Sequence, residues 1–341
     1  MTTPLRERLT RVAELVATPL MPADFVDLLD PLRNGTELRA RIVAISPETA
    51  DAATLTLKPG KGWRGHTPGQ YVRIGVDIDG VRQWRAYSIT SASEKTFTIT
   101  VKAMGLVSDF LVRRATPGLV VQLDQAAGDF VLGDHRGKAL FITAGSGITP
   151  VMGMLRSASL EDAVLVHSAP TRDDVIFAAE LRALAADGRI QLIELHTDAV
   201  GMLTIDQLAE LVPDLHERQA WACGPTGMLD MLEELFGETL RTERFRPSIL
   251  VTGEGGTVSY SRTGITVEAD GSTPLLTAGE NAGVLMPSGC RMGICFGCVL
   301  PLREGAVRDL RTGDITTAAV GDGVLIQTCI SAAAGSCDLD V

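Results

Sequence analysis

The sequence predicts a chain of mixed α/β and β class in three parts: a small antiparallel barrel, a doubly wound parallel sheet and a cysteine-bearing β domain. Three observations predict it. From about Glu37 to Ala103, apolar residues recur with a period of two, as half-buried strands require. From about Gly137, short apolar strands alternate with helical stretches, the pattern of a parallel sheet. Near the C-terminus, Cys290, Cys295 and Cys298 read Cys-x4-Cys-x2-Cys, and a further cysteine follows at Cys329.

Composition bounds the rest. The chain has 341 residues, enough for two or three domains of about 150 residues. A net charge of −11 argues against nucleic acid or an anionic membrane as the main partner. The N-terminus lacks the apolar core of a signal peptide. The uncharged run Ala139–Leu155 is interrupted by Gly145, Gly147, Pro150 and Gly153, so it reads as strand, loop and helix rather than a membrane span. The six cysteines, four of them in one constellation, fit a reducing cytoplasm.

Residues 1–34 read as an arm of two amphipathic helices. Leu5, Leu9, Val12 and Val16 recur at helical spacing; after Pro19 and Pro22, so do Phe25, Leu28, Leu29 and Leu32. Such an arm either folds onto the next domain or docks on a partner or membrane surface.

Residues 35–136 carry the barrel. Glu37–Ile45, Ala53–Leu57, Gln70–Ile78, Val81–Ile89 and Thr96–Ala103 read as strands, and a helix follows near Leu106–Arg114. Arg85-Ala-Tyr87-Ser88 closes a strand. A Tyr ring can stack on a flat heterocycle, a Ser hydroxyl can bond a ring nitrogen, and an Arg can clamp phosphate. The alternative is an ordinary strand end. Gly105-Leu106-Val107-Ser108 opens the helix, where N–H groups and the Ser hydroxyl would face a pyrophosphate.

Residues 137–243 carry the parallel sheet. Strands are expected at Ala139–Thr143, Ala163–His167, Ile190–Leu195 and Gln219–Cys223. Helices are expected from Val151 to Ser157, Ala178–Ala185, Thr204–Leu211 and Thr226–Phe236. Gly145-Ser146-Gly147-Ile148-Thr149-Pro150 lies between strand and helix, where a dinucleotide loop belongs, though it is not Gly-x-Gly-x-x-Gly. Cys223-Gly224-Pro225 ends a later strand, at the edge where such sheets bind ligands. Taken alone, Cys223 reads as a small buried core residue.

Residues 244–247, Arg-Phe-Arg-Pro, read as a linker to the last domain, 248–341. That domain has five basic against ten acidic residues. Short strands are expected at Ser248–Thr252, Val258–Ser261 and Ile265–Glu268, with a helix near Gly279–Leu285. The stretch from Cys337 to Val341 also reads as a strand. The cysteine spacing is that of plant-type ferredoxins, in which four thiolates hold a [2Fe–2S] cluster. A zinc site would pair Cys329 with Cys337, a spacing that fits poorly.

Arg-x-Tyr-Ser, Gly-x-x-Ser, Gly-Ser-Gly-Ile-Thr-Pro and Cys-Gly-Pro, followed by these cysteines, resemble in their order the ferredoxin–NADP⁺ reductase superfamily. Within it the chain resembles oxygenase reductases with a C-terminal ferredoxin domain, of the phthalate dioxygenase reductase arrangement. The arm and Cys-Arg-Met-Gly-Ile-Cys further resemble actinobacterial reductases that serve acyl-CoA desaturases. The resemblance implies a flavin-binding barrel, a nucleotide-binding sheet and a β-grasp ferredoxin domain. It implies FAD (FMN being the alternative), a [2Fe–2S] cluster held by Cys290, Cys295, Cys298 and Cys329, and NADPH, with NADH the alternative. Tyr87 and Ser88 would face the flavin ring, with Ser88 steadying the nitrogen that takes the hydride. Arg85, Lys102 and Gly105–Ser108 would serve its binding. Gly145–Thr149 would hold the dinucleotide's phosphates, and Cys223, Gly224, Pro225 and Phe245 would lie near hydride transfer. NADPH-specific relatives often carry a Ser-Arg pair where this chain has His196-Thr197-Asp198. An Asp there would repel a 2′-phosphate, and Arg172 could supply the cation; otherwise Arg172 is a solvated turn residue.

The implied path runs from NAD(P)H through flavin and cluster to an external oxygenase, here a membrane di-iron acyl-CoA desaturase. The protein would be cytoplasmic, reaching the inner membrane through its partner. Rieske oxygenases and cytochromes P450 are rival acceptors; a diaphorase and an iron–sulfur sensor are rival functions. Arg291, Arg303, Arg308 and Arg311, in or after the cluster loop, would form a basic docking edge.

Overall fold

The computed structural model describes residues 32–33, 37–92, 95–158, 160–245 and 251–341. The arm's helices, residues 246–247 of the linker and residues 248–250 of an expected strand lie outside the described residues.

The first sheet has six strands: β1 (Arg39–Thr49), β2 (Ala52–Pro59), β3 (Tyr71–Ile78), β4 (Val81–Ser88), β5 (Phe97–Lys102) and β6 (Val120–Leu123). Their order is β4-β3-β6-β1-β2-β5. The ends of that row meet, because Ile89 bridges Ile99 and Thr90 N–H donates to Thr98 O at 2.8 Å. The barrel therefore closes immediately after Ser88, which places the end of β4 at a seam. Inward residues such as Ile42, Leu55, Ile74, Phe97 and Ile99 are almost wholly buried and form its core. Strand β6 was not foreseen: four residues are too short to show a period. Helix α1 (Leu106–Arg113) follows β5, as expected.

The second sheet contains β7 (Lys138–Ala144), β8 (Asp162–Ala169), β9 (Gln191–His196), β10 (Gln219–Cys223) and β11 (Arg241–Glu243), in the order β11-β10-β7-β8-β9. β7, β8 and β9 run parallel. Residues 139–143 are all buried, as a strand covered on both faces demands. The helices are α2 (Ile148–Ser157), α3 (Ala178–Ala186), α4 (Thr197–Val200), α5 (Ile205–Leu211) and α6 (Thr226–Phe236). The expected glycine loop is shorter than its motif. Residues 145–147 form one 3₁₀ turn and the helix starts at Ile148, because Pro150 sits in a first turn that needs no N–H from it.

The third sheet holds β12 (Gly256–Tyr260), β13 (Ile265–Ala269), β14 (Val299–Asp309), β15 (Ile315–Ala318), β16 (Val324–Gln327) and β17 (Ser331–Leu339). The order is β13-β12-β17-β14-β15, with β16 paired to β14. β12 and β17 are parallel, and helix α7 (Leu275–Asn281) covers the sheet, giving the β-grasp arrangement. The helix expected near 279–285 lies four residues earlier in its start, because Pro274 opens it and the chain turns at Gly283 (φ +81°). Tyr260, fully buried, donates to Leu275 O at 2.9 Å and ties α7 down. Of the strand expected at 248–252, Val251 and Thr252 are described and lie in no strand.

Candidate functional site

Ser88 is buried at the barrel seam and Tyr87 is half-buried beside it. Arg85, on the same strand, donates to Trp84 O at 2.7 Å. Gly105 precedes α1 with open space where a side chain would stand. The helix start behind it keeps the spare N–H groups of any first turn, so Leu106–Ser108 could hold a phosphate. Two expectations change. The Ser108 hydroxyl is taken up locally: it accepts from Met104 N at 2.9 Å and Gly105 N at 3.0 Å, and donates to Gly105 O at 2.9 Å. Lys102 is also engaged, its ammonium 2.6 Å from Asp51 Oδ2.

Gly145 takes φ +53°, a conformation costly for other residues, and nothing lies within 4 Å of the Cβ it lacks. Ser146, Ile148 and Thr149 follow, with Thr149 Oγ1 donating to Ser146 O at 2.9 Å, which fixes the turn. An anion could approach this bare backbone at the start of α2. Cys223 ends β10, wholly buried, with Gly224 and Pro225 leading into α6. Burial pushes its thiol well above the ordinary range, so it stays protonated at neutral pH. Phe245 is partly exposed at the end of the described segment. Arg172 lies in an exposed 3₁₀ turn after β8, and Asp198 in α4 after β9.

One contact that fastens this loop to the barrel was missed. At Gly153 of α2, a Cβ would stand 2.5 Å from Ile89 O. Three residues on, Arg156 donates to Thr90 O at 2.6 Å and clamps Glu180 through two bonds. The signal in the sequence was an isolated glycine inside a helical pattern, which points to close backbone approach.

In the third sheet, tertiary pairing gathers the four cysteines. Cys290, Cys295 and Cys298 share the loop before β14. Val299 of β14 pairs with Gln327 of β16, which sets Cys298 and Cys329 side by side. Thr328 holds the junction, its hydroxyl donating to Cys298 O at 2.9 Å. Backbone N–H groups aim at sulfur: Cys290 N to Cys295 Sγ at 3.0 Å, Met292 N to Cys290 Sγ at 3.3 Å and Gly297 N to Cys295 Sγ at 3.4 Å. The sulfurs group two and two. The neighbouring Cys329 sulfur lowers the Cys298 thiol, and the neighbouring Cys295 sulfur raises that of Cys290. Among the described residues no three of His, Cys, Asp and Glu converge on a single ion. Two pairs of thiols, with N–H donors around them, fit a two-iron cluster better than one zinc. Cys337 lies apart, in β17 opposite Val258 and Gly305.

The basic docking edge is not found. Arg291 pairs with Glu280, Arg303 with Asp338 at 3.4 Å, Arg308 with Glu254 at 2.8 Å and Arg311 with Asp309 at 3.0 Å. Each charge expected to face a partner is already neutralised. Around Cys295 the exposed groups are apolar: Ile294 is 47% and Phe296 67% exposed.

A barrel, a nucleotide sheet and a thiol-rich β-grasp module define an electron-transfer flavoprotein with an iron–sulfur centre. Residues 141–234 match the model of an oxidoreductase NAD-binding domain, and residues 258–334 that of a 2Fe-2S iron-sulfur cluster binding domain. An NADPH oxidoreductase of Mycobacterium tuberculosis is 46% identical over 98% of this chain and 92% of its own. A glycine betaine monooxygenase reductase subunit of Pseudomonas aeruginosa is 29% identical over 77% of this chain and 84% of its own. The structure of a phthalate dioxygenase reductase shares the fold, with TM-score 0.61 and 20% identity, covering 90% of this chain and 98% of that one. The chain belongs to the ferredoxin–NADP⁺ reductase family of oxygenase reductases with a C-terminal 2Fe–2S domain. It is an oxidoreductase that transfers electrons from NAD(P)H, with FAD and a [2Fe–2S] cluster as cofactors. Among the described residues no helix is long and apolar enough to cross a membrane.

Proposed function

We propose that this protein draws electrons from NADPH and delivers them, one at a time, to an oxygenase component, and that this component is a membrane di-iron acyl-CoA desaturase. The observation that carries the delivery step is the cluster loop itself, whose Cys295 is the least buried of the four thiols and is flanked by exposed Ile294 and Phe296. The choice of NADPH is supported by the similarity to the mycobacterial NADPH oxidoreductase. The desaturase rests on the resemblance of the arm and of the loop from Cys290 to Cys295.

In this reading Cys290, Cys295, Cys298 and Cys329 are the cluster ligands. Arg85 and the N–H groups of Leu106–Ser108 bind the flavin's phosphates. Tyr87 and Ser88 would face the flavin ring, with Ser88 steadying the nitrogen that takes the hydride. Gly145–Thr149 hold the dinucleotide's phosphates. The Gly145 turn follows β7 and Cys223-Gly224-Pro225 follows β10, each at the strand end where sheets of this type bind ligands. A flavin held there would supply both hydride chemistry towards the nicotinamide and single-electron chemistry towards the cluster. Around it the protein's own groups orient and shield; with its thiol neutral, Cys223 is a packing surface and no base. Lys102 is held by Asp51 and supports the barrel.

Arg85→Ala is expected to give folded protein that loses most of its flavin on gel filtration, read as the ratio of visible to ultraviolet absorbance. Loss of a charged phosphate contact weakens binding by roughly 1.5–3 kcal/mol, about ten- to a hundredfold. Full retention would make Arg85 structural.

The partner is tested by reconstituting candidate desaturases in membranes with this protein and NADPH, beside Rieske oxygenases and cytochromes P450. Turnover with a desaturase is expected. Because the arginines near the loop are paired, the rate should change only a few-fold between low and high salt, and Phe296→Ala should slow it more than salt does. Turnover with a Rieske enzyme alone would replace the desaturase and keep the reductase. Turnover with none, beside rapid quinone reduction, would make the protein a diaphorase.

A further inference from the structure

The turn after β14 sets a charged pair against the cysteine loop. Leu310 N–H donates to Ile330 O at 2.8 Å, and Ile330 follows Cys329 in the chain. That bond brings the turn to the last of the four cysteines. Gly293, between Cys290 and Cys295, lies at the same place. Gln327 Nε2 donates to Gly293 O at 3.0 Å, which ties the loop to β16. Gly293 takes φ +74°, and a Cβ there would stand 2.7 Å from Arg311 Nη1 and 2.9 Å from Ile330 Cγ2. The missing side chain therefore lets the Arg311 guanidinium lie against the loop backbone. Arg311 meets Gly293 with one nitrogen and Asp309 with the other two: Nε donates to Asp309 Oδ1 at 3.3 Å and Nη2 to Oδ2 at 3.0 Å. The two side chains are 34% and 24% exposed, so solvent screens the pair only in part. The bonds to Asp309, and beyond them the Cys329 sulfur, raise the guanidinium above its ordinary range, against burial, which lowers it. The electron-transfer reading has so far given this pair no role.

We propose that Arg311 and Asp309 together set the reduction potential of the [2Fe–2S] cluster: the guanidinium favours the reduced form, and the carboxylate holds back part of that effect. This rests on Cys290, Cys295, Cys298 and Cys329 being the cluster ligands. Reduction adds one electron, and with it one negative charge at the thiolates' centre. A fixed cation close by stabilises the added charge, a fixed anion opposes it, and the nearer group acts more strongly. Arg311 is the group in contact with the loop, so the cation prevails. No proton moves at either residue in the step, because an arginine stays protonated in proteins. Arg303 is the natural control. It is also paired with a carboxylate, Asp338, at 3.4 Å, but it lies five residues past Cys298 along β14. Five strand residues span about 16 Å, beyond the screening length at physiological salt.

The test uses the full-length holoprotein. It reads the cluster's midpoint potential by redox titration followed by electron paramagnetic resonance, with iron content measured for each variant. Arg311→Gln is expected to shift the balance of the two oxidation states roughly tenfold toward the oxidised one. For a one-electron couple that is about 59 mV downward. Asp309→Asn should shift it upward by roughly two- to fivefold; its amide keeps an oxygen for the Arg311 N–H that donates at 2.8 Å, so the turn holds. Arg311→Lys and Arg303→Ala should both stay within about twofold of wild type. Opposite shifts are what two opposite charges require and what a loosened loop does not give. An unchanged potential in Arg311→Gln at full iron content, or shifts of the same sign in Arg311→Gln and Asp309→Asn, overturns the assignment. If Arg311→Gln loses iron, Asp309→Asn decides: a raised potential supports the proposal, and an unchanged or lowered one overturns it. A cluster signal that survives in Cys329→Ser removes the ligand assignment and this proposal with it. A signal lost there, with no shift at 309 or 311, removes only the role of the pair.

Discussion

Cys329→Ser is expected to remove the visible iron–sulfur absorbance while the flavin bands stay, whereas Cys337→Ser keeps both. The two cysteines look alike by burial, 3% and 5% exposed, and both lie in the third sheet. Their surroundings differ. Cys329 stands beside Cys298 because β14 and β16 pair at Val299 and Gln327. Cys337 points into the apolar core between β12 and β14, where burial raises its thiol to about 11. A hydroxyl at 337 would meet that core without a designed partner and cost about 1–3 kcal/mol of stability, with no change in spectrum. Electron paramagnetic resonance of the reduced protein, beside absorbance, separates the outcomes. A cluster signal lost in Cys337→Ser and kept in Cys329→Ser would reverse the ligand assignment.

Gly153→Val should cost about 1–3 kcal/mol or more, the usual range for overpacking a tight contact. The collision is with backbone: the added Cβ would stand 2.5 Å from Ile89 O, and a carbonyl in a closed barrel cannot swing aside as a side chain can. Ile89 follows Ser88 and bridges Ile99, so pushing α2 outward also disturbs the seam that places Ser88. Flavin retention on gel filtration should fall together with the melting temperature. Gly227→Ala is the control. Gly227 lies in α6 with open space around its missing Cβ, so alanine should be neutral or gain up to about 1 kcal/mol in helix propensity. Normal stability and full flavin in Gly153→Val would show that α2 can slide on the barrel.

By itself the sequence determined what depends on near neighbours along the chain. Strand period, helix period and the Cys-x4-Cys-x2-Cys loop are local patterns, so the order barrel, parallel sheet, cysteine module was legible. β10 and α6 lie at the residues expected. Strands β6 and β11 were not legible, because segments of four and three residues hold too few alternations to show a period. Only the tertiary structure decided what depends on residues far apart in sequence. It joined Cys298 to Cys329 through the β14–β16 pairing and separated Cys337 from them. It seated Gly153 against Ile89. It also paired Arg303 and Arg308 with carboxylates 35 and 54 residues distant, Asp338 and Glu254, so that an apparent basic edge became a neutral one. A count of charges along a chain carries their sign and number. Whether a charge is free to meet a partner is settled by which opposite charge the fold brings within reach.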